Sequence, residues 1–90
     1  MSRAEMIATL RALADAVAVA HWGGDLPAGY AKAELRARVV LAAVDGIGSK
    51  RDTTHKRIAR ALANLIAAAE GDGKVAVALA ARDAAQRAPA

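Results

Sequence analysis

The stretch from Asp52 to Ala69 reads DTTHKRIARALANLIAAA, and its periodicity decides the fold class. Ile58, Leu62, Leu65, Ile66 and Ala69 recur at spacings of three and four, which puts them on one face of a helix. Lys56, Arg60 and Asn64 lie opposite, with Arg57 beside them. A half-buried strand would alternate apolar and polar residues instead, and no part of the chain does so. Asp52 or Thr53 is placed to cap this helix, which is expected over 53–69.

Upstream, Asp45-Gly46-Ile47-Gly48-Ser49 breaks the pattern, because glycine enters positive φ without steric cost. A second helix is expected over 27–44, opened by Asp25 and Pro27, with Gly29 fraying its start. Tyr30, Ala33, Ala37, Val40, Leu41 and Val44 form its main apolar face. Leu35 and Val39 lie on another side, among Lys32, Glu34, Arg36 and Arg38. Glu34 and Arg38 are four apart in the order that favours an ion pair.

At the chain start, Ser2-Arg3-Ala4-Glu5 is a capping-box pattern. The helix it opens, over 3–20, carries Met6, Leu10, Leu13 and Val17 as its stripe, widened by Ile7 and Ala14. Gly23-Gly24 ends it, and Trp22 beside those glycines is expected to plug the end of the bundle. Downstream, Gly71-Asp72-Gly73 separates the third helix from a last one over 74–87, which has Val75, Val77 and Leu79 to bury. Residues 88–90, with Pro89, are expected to fray. The expected architecture is all-α: one domain over 1–90, a small bundle of about four helices with short connections.

Ninety residues make a thin core, and this composition thins it further. Twenty-seven residues are alanine, none is phenylalanine, and Trp22 and Tyr30 are the only aromatics. Alanine favours helix but contributes little burial, so self-association into a homo-oligomer is a natural way to cover more surface. Cysteine is absent, which excludes disulfides and thiolate metal sites and accords with a cytoplasmic chain. No apolar run is long enough to span a membrane. Glu5, Arg11 and Asp15 interrupt the only apolar stretch that resembles a leader.

Chemistry is hard to find. Ser2, Ser49, Thr9, Thr53 and Thr54 lack a base with an orienting acid, so no nucleophilic constellation forms. Asp45, Asp52, Glu70 and Asp72 sit at helix ends and Asp25 at a turn, where capping is the usual role. His21 is expected at a helix C-terminus, as a cation–dipole contact or a partly buried polar residue. His55, near a helix start, reads as a neutral hydrogen-bonding group or one that faces an anion. No metal-ligand spacing occurs, and neither a cofactor nor an enzymatic activity is expected.

Charge is where the chain is distinctive. The net charge is +4, and the segment from Lys50 to Arg60 holds Lys50, Arg51, Lys56, Arg57 and Arg60 against Asp52 alone. The whole net charge therefore lies in one short segment, a candidate footprint for phosphate or an acidic protein surface. Gly46-Ile47-Gly48-Ser49-Lys50 lacks the glycine spacing of a P-loop and follows a helix rather than a strand.

Leu41-Ala42-Ala43-Val44-Asp45-Gly46-Ile47-Gly48 resembles the first half of the helix-hairpin-helix nucleic-acid-binding motif, in which an apolar helix runs into a Gly-hydrophobic-Gly hairpin. The resemblance implies that hairpin amides and nearby basic side chains hold backbone phosphates without reading sequence. It is confined to Leu41–Gly48: Asp52 and His55 stand where the family places apolar residues, and three added hairpin residues would bring Ile58 and Leu62 into phase. A helix-turn-helix fits worse, because polar side chains fall where its recognition helix needs apolar ones.

The expected function is a non-enzymatic binding module that grips the nucleic-acid backbone through Gly46, Gly48, Ser49, Lys50, Arg51, Lys56, Arg57 and Arg60. The alternative is a protein-interaction module (an inhibitor, adaptor or small self-assembling subunit, of the kind phages or mobile elements encode) with Leu35 and Val39 at its interface. A plain solvated charge run on a Gly-rich loop is the third reading.

Overall fold

Each helix starts where a side chain or the backbone can satisfy its first amides. At Ser2 the capping box is complete: the hydroxyl accepts the Glu5 amide, and the Glu5 carboxylate accepts the Ser2 amide. The computed structural model describes residues 1–87, and in it the chain forms an all-α bundle of four helices. These are α1 (Arg3–Ala20), α2 (Ala31–Val44), α3 (His55–Ala69) and α4 (Gly73–Arg87). The expected fraying of 88–90 lies outside the described residues.

Two helix starts differ from expectation. Pro27 has an extended ψ of 144°, and a short 3-10 turn, Ala28–Tyr30, precedes α2, so the α-helix begins four residues after proline and Asp25 caps nothing. A second 3-10 turn, Lys50–Thr53, precedes α3. Ser49 Oγ accepts the Arg51 amide and the Thr53 hydroxyl donates to the Lys50 carbonyl, which closes that turn. The cap then falls to Thr54, whose ψ of 149° is extended and whose hydroxyl oxygen accepts the Arg57 amide, rather than to Asp52 or Thr53. Asp72 caps α4 through the amides of Lys74 and Val75.

Cross-helix bonds fix the directions. Arg3 donates from Nε and Nη2 to the Thr53 carbonyl, so α1 and α3 start at the same end. Arg11, midway along α1, pairs with Asp45 at the C-terminal end of α2, and His21, at the far end of α1, reaches Asp72, which also binds Tyr30 before α2. Arg82 binds Asp15 at 3.0 Å, which sets α4 antiparallel to α1. The chain thus runs up-down-up-down, with α1 touching all three other helices.

One apolar cluster draws on every helix. Leu10, Val17, Val40, Ile58, Leu65 and Val75 are its largest fully buried side chains, each worth about 1.5–3 kcal/mol of burial. Ala37 and Ala61 are fully buried as well, which lets the helices approach closely. α4 is held least firmly, since Val75 is its only buried residue. Val77, expected in the core, is 71% exposed because it faces away from α1.

Trp22 is not a plug. It is 88% exposed, beyond the last turn of α1, where its amide reaches back to the Val19 carbonyl. Val19 is exposed beside it.

Candidate functional site

The turn after α2 is built by its glycines. Gly46 has φ of 89°, and the amides of Gly46 and Ile47 return to the Ala43 and Ala42 carbonyls, the double bond that commonly terminates a helix at a left-handed glycine. Gly48, at φ of 131°, then turns the chain toward Ser49 and the 3-10 turn. The whole stretch from Asp45 to Arg51 is exposed, including Ile47. The amides of Gly48 and Ser49 donate to no protein acceptor among the described residues.

The predicted basic residues follow directly. Lys50 and Arg51 stand exposed on the 3-10 turn, which packs against α2 and the start of α3. Lys56 and Arg60 are exposed one turn apart on α3, and Arg57 is half-buried beside them. None of the five forms an ion pair among the described residues. Arg3 brings a sixth cation to this end by its bonds to Thr53. Sequence reasoning missed Arg3, because nothing local signals a contact fifty residues away.

Electrostatics sharpen the picture. The N-termini of α1 and α3 converge here, and each presents partial positive charge. The first turn of α1 answers this with Glu5. The first turn of α3 contains no acid and instead carries Lys56 and Arg57, with His55 exposed at its first position. Cations at a helix N-terminus oppose the dipole, so this arrangement costs folding stability. Asp45, at the C-terminal end of α2, is neutralised by Arg11, whose guanidinium holds its carboxyl below the usual range.

Leu35 and Val39 lie elsewhere, 61% and 47% exposed, beside an open groove of about 910 Å³ between α2 and α3. Lys32, Arg36 and Asn64 also line it. A second groove, of about 780 Å³, lies between α1, α4 and the end of α3 and is mainly apolar, with Glu70, Asp72 and Asp83 at its wall.

The largest surprise is at the far end of the bundle. Asp72 Oδ2 accepts the Tyr30 hydroxyl at 2.6 Å and bonds His21 Nε2 at 2.8 Å, and the two rings lie 5.5 Å apart. The Tyr30 and His21 bonds push the Asp72 pKa down to about 2, and burial pushes Tyr30 up to about 12. The cluster ties α1, the turn before α2 and the start of α4 together. The sequence places each member separately, Asp72 at a helix end, His21 as a partly buried polar residue or a cation–dipole contact, and Tyr30 on an apolar face, but not their meeting. Of the other expected capping carboxylates, Asp45 pairs with Arg11, and Asp52 lines the α2–α3 groove.

Among the described residues no helix is long and apolar enough to cross a membrane, and no group of three His, Cys, Asp or Glu side chains is arranged to hold a metal ion. No protein-family model, curated protein or solved structure matches the chain.

Proposed function

We propose that this chain is a non-enzymatic binding module that holds the phosphate backbone of nucleic acid with the segment from Gly46 to Arg60. The observation that carries the reading is the first turn of α3, where Lys56 and Arg57 sit uncompensated at a helix N-terminus. Folding alone would favour acids there, and residues that break a folding rule without a local gain tend to be functional. A bound phosphate reverses the sign: the cations and the dipole of the first turn of α3 then favour it, and the Gly48 and Ser49 amides, which donate to no protein acceptor among the described residues, are free to bind a backbone phosphate as well. Lys50, Arg51 and Arg60 extend that contact along a charged backbone.

Such contacts position a backbone and carry little sequence information. With only two aromatics, and Trp22 and Tyr30 outside this segment, no row of stacking platforms for single strands is present. Duplex is therefore the favoured form. A cytoplasmic location accords with that partner and with a chain lacking cysteine.

The test is fluorescence anisotropy with two short duplexes of unrelated sequence at low ionic strength. Both are expected to bind with similar affinity, and Lys56→Ala with Arg57→Ala and Arg60→Ala is expected to weaken both alike. Strong preference for one duplex, or binding indifferent to the triple substitution, would overturn the reading.

A further inference from the structure

We infer that the groove between α2 and α3 is a docking site for an amphipathic helix of a partner protein, apolar along one stripe and rich in carboxylates along its flanks. This inference does not depend on the nucleic-acid reading, because its central residues are different ones.

The groove has the parts that helix docking requires. Leu35 and Val39, one turn apart on α2, stand exposed along one wall. Small residues, Ala33, Ala67 and Ala68, let an incoming helix approach closely. α2 runs for 14 residues, or roughly 21 Å, which accommodates almost four turns of an occupant, enough for anchors at i, i+3 or i+4, and i+7.

Charge selects the occupant. Lys32 and Arg36 are spaced one turn apart beside Leu35 and Val39, and neither forms an ion pair among the described residues. On α3, Lys56, Arg60, Asn64 and Ala67 fall within about 80° of arc, so the basic stripe of that helix leads into the groove at Asn64. Nearby Glu34 is already engaged by Arg38, which leaves Asp52 as the one carboxylate lining the groove. A second copy docking by the same face would bring Lys32 and Arg36 against their own equivalents. Nucleic acid would satisfy Lys32 and Arg36 but leave Leu35 and Val39 against a charged backbone. A helix with apolar anchors and flanking Glu or Asp satisfies both features.

Binding is measured by anisotropy with a labelled synthetic helix carrying leucine at i, i+3 and i+7 and glutamate on both flanks, beside a twin with lysine for glutamate. The wild-type chain is expected to bind the glutamate peptide and not the twin. Leu35→Ser with Val39→Ser is expected to weaken that binding about tenfold or more while leaving duplex binding unchanged. Both positions are exposed, so helicity by circular dichroism should be retained. Lys32→Glu with Arg36→Glu is expected to transfer preference to the lysine peptide. No binding of the glutamate peptide, equal binding of both peptides, or indifference to the serine pair would overturn the inference. So would a wild-type dimer, seen by light scattering, that the serine pair dissociates, since a second copy would then cover the groove.

Discussion

The Asp72 carboxylate accepts the Tyr30 hydroxyl, engages His21, and receives the amides of Lys74 and Val75. Its pKa lies near 2, below the ordinary 3.8, chiefly because of Tyr30 and then His21. A carboxylate whose folded pKa is depressed stabilises the fold above its unfolded value and loses that effect as pH falls toward the folded one. The loss therefore belongs between about pH 4 and pH 2. Thermal melts of the wild type are expected to drop across this window by more than those of Asp72→Ala, and parallel profiles would refute the role. Tyr30 is 2% exposed and its hydroxyl donates to an ionised carboxylate, so Tyr30→Phe is expected to cost about 1.5–3 kcal/mol in urea denaturation. Nothing in the sequence pairs His21, Tyr30 and Asp72, because three separate segments contribute one residue each. What was legible there was the turn, through its glycines.

Among the elements, α3 was the most legible and its start the least. Its stripe of Ile58, Leu62 and Leu65 is buried as the periodicity requires, whereas Ile66 at the edge of that stripe remains exposed. The sequence points to Asp52 or Thr53 as the cap, and the cap falls one residue later, on Thr54. The Ser49 turn takes up Lys50 to Thr53 and Arg3 grips the Thr53 carbonyl, and sequence periodicity registers neither. Thr54→Ala is expected to cost about 1 kcal/mol by chemical denaturation. Lys56→Glu supplies a sharper test of the element, since it places an acid where the dipole favours one. It is expected to raise stability by about 0.3–1 kcal/mol while weakening duplex binding. Lower stability together with unchanged binding would remove the argument from the first turn of α3. The last helix, α4, rests on Val75 and the edge contacts of Ala78 and Leu79. Its amides are expected to exchange with deuterium faster than those of α1 and α3.

At the scale of the whole molecule, the bundle is open. It exposes 5987 Å², roughly a fifth more than a compact monomer of its mass. Alanine explains this: Ala33, Ala37, Ala43 and Ala61 occupy core positions where larger side chains would draw more surface in. The all-α class was legible because helical periodicity survives an alanine-rich background. The grooves were not, since they arise from how α1 meets α3 and α4 and how α2 meets α3. The basic segment was legible as charge, but its setting was not: the two helix N-termini and Arg3 join it only through the up-down-up-down packing.

That end of the molecule carries the central claim, and the salt dependence of duplex affinity tests it most directly. Five cations on backbone phosphates predict a linear fall of log K with log salt, with a slope of roughly −4 to −5. Replacing Lys56, Arg57 and Arg60 by alanine should bring the slope to about −2, at unchanged helicity. Binding with no salt dependence, a slope identical in wild type and variant, or no binding at about 50 mM salt would contradict the account.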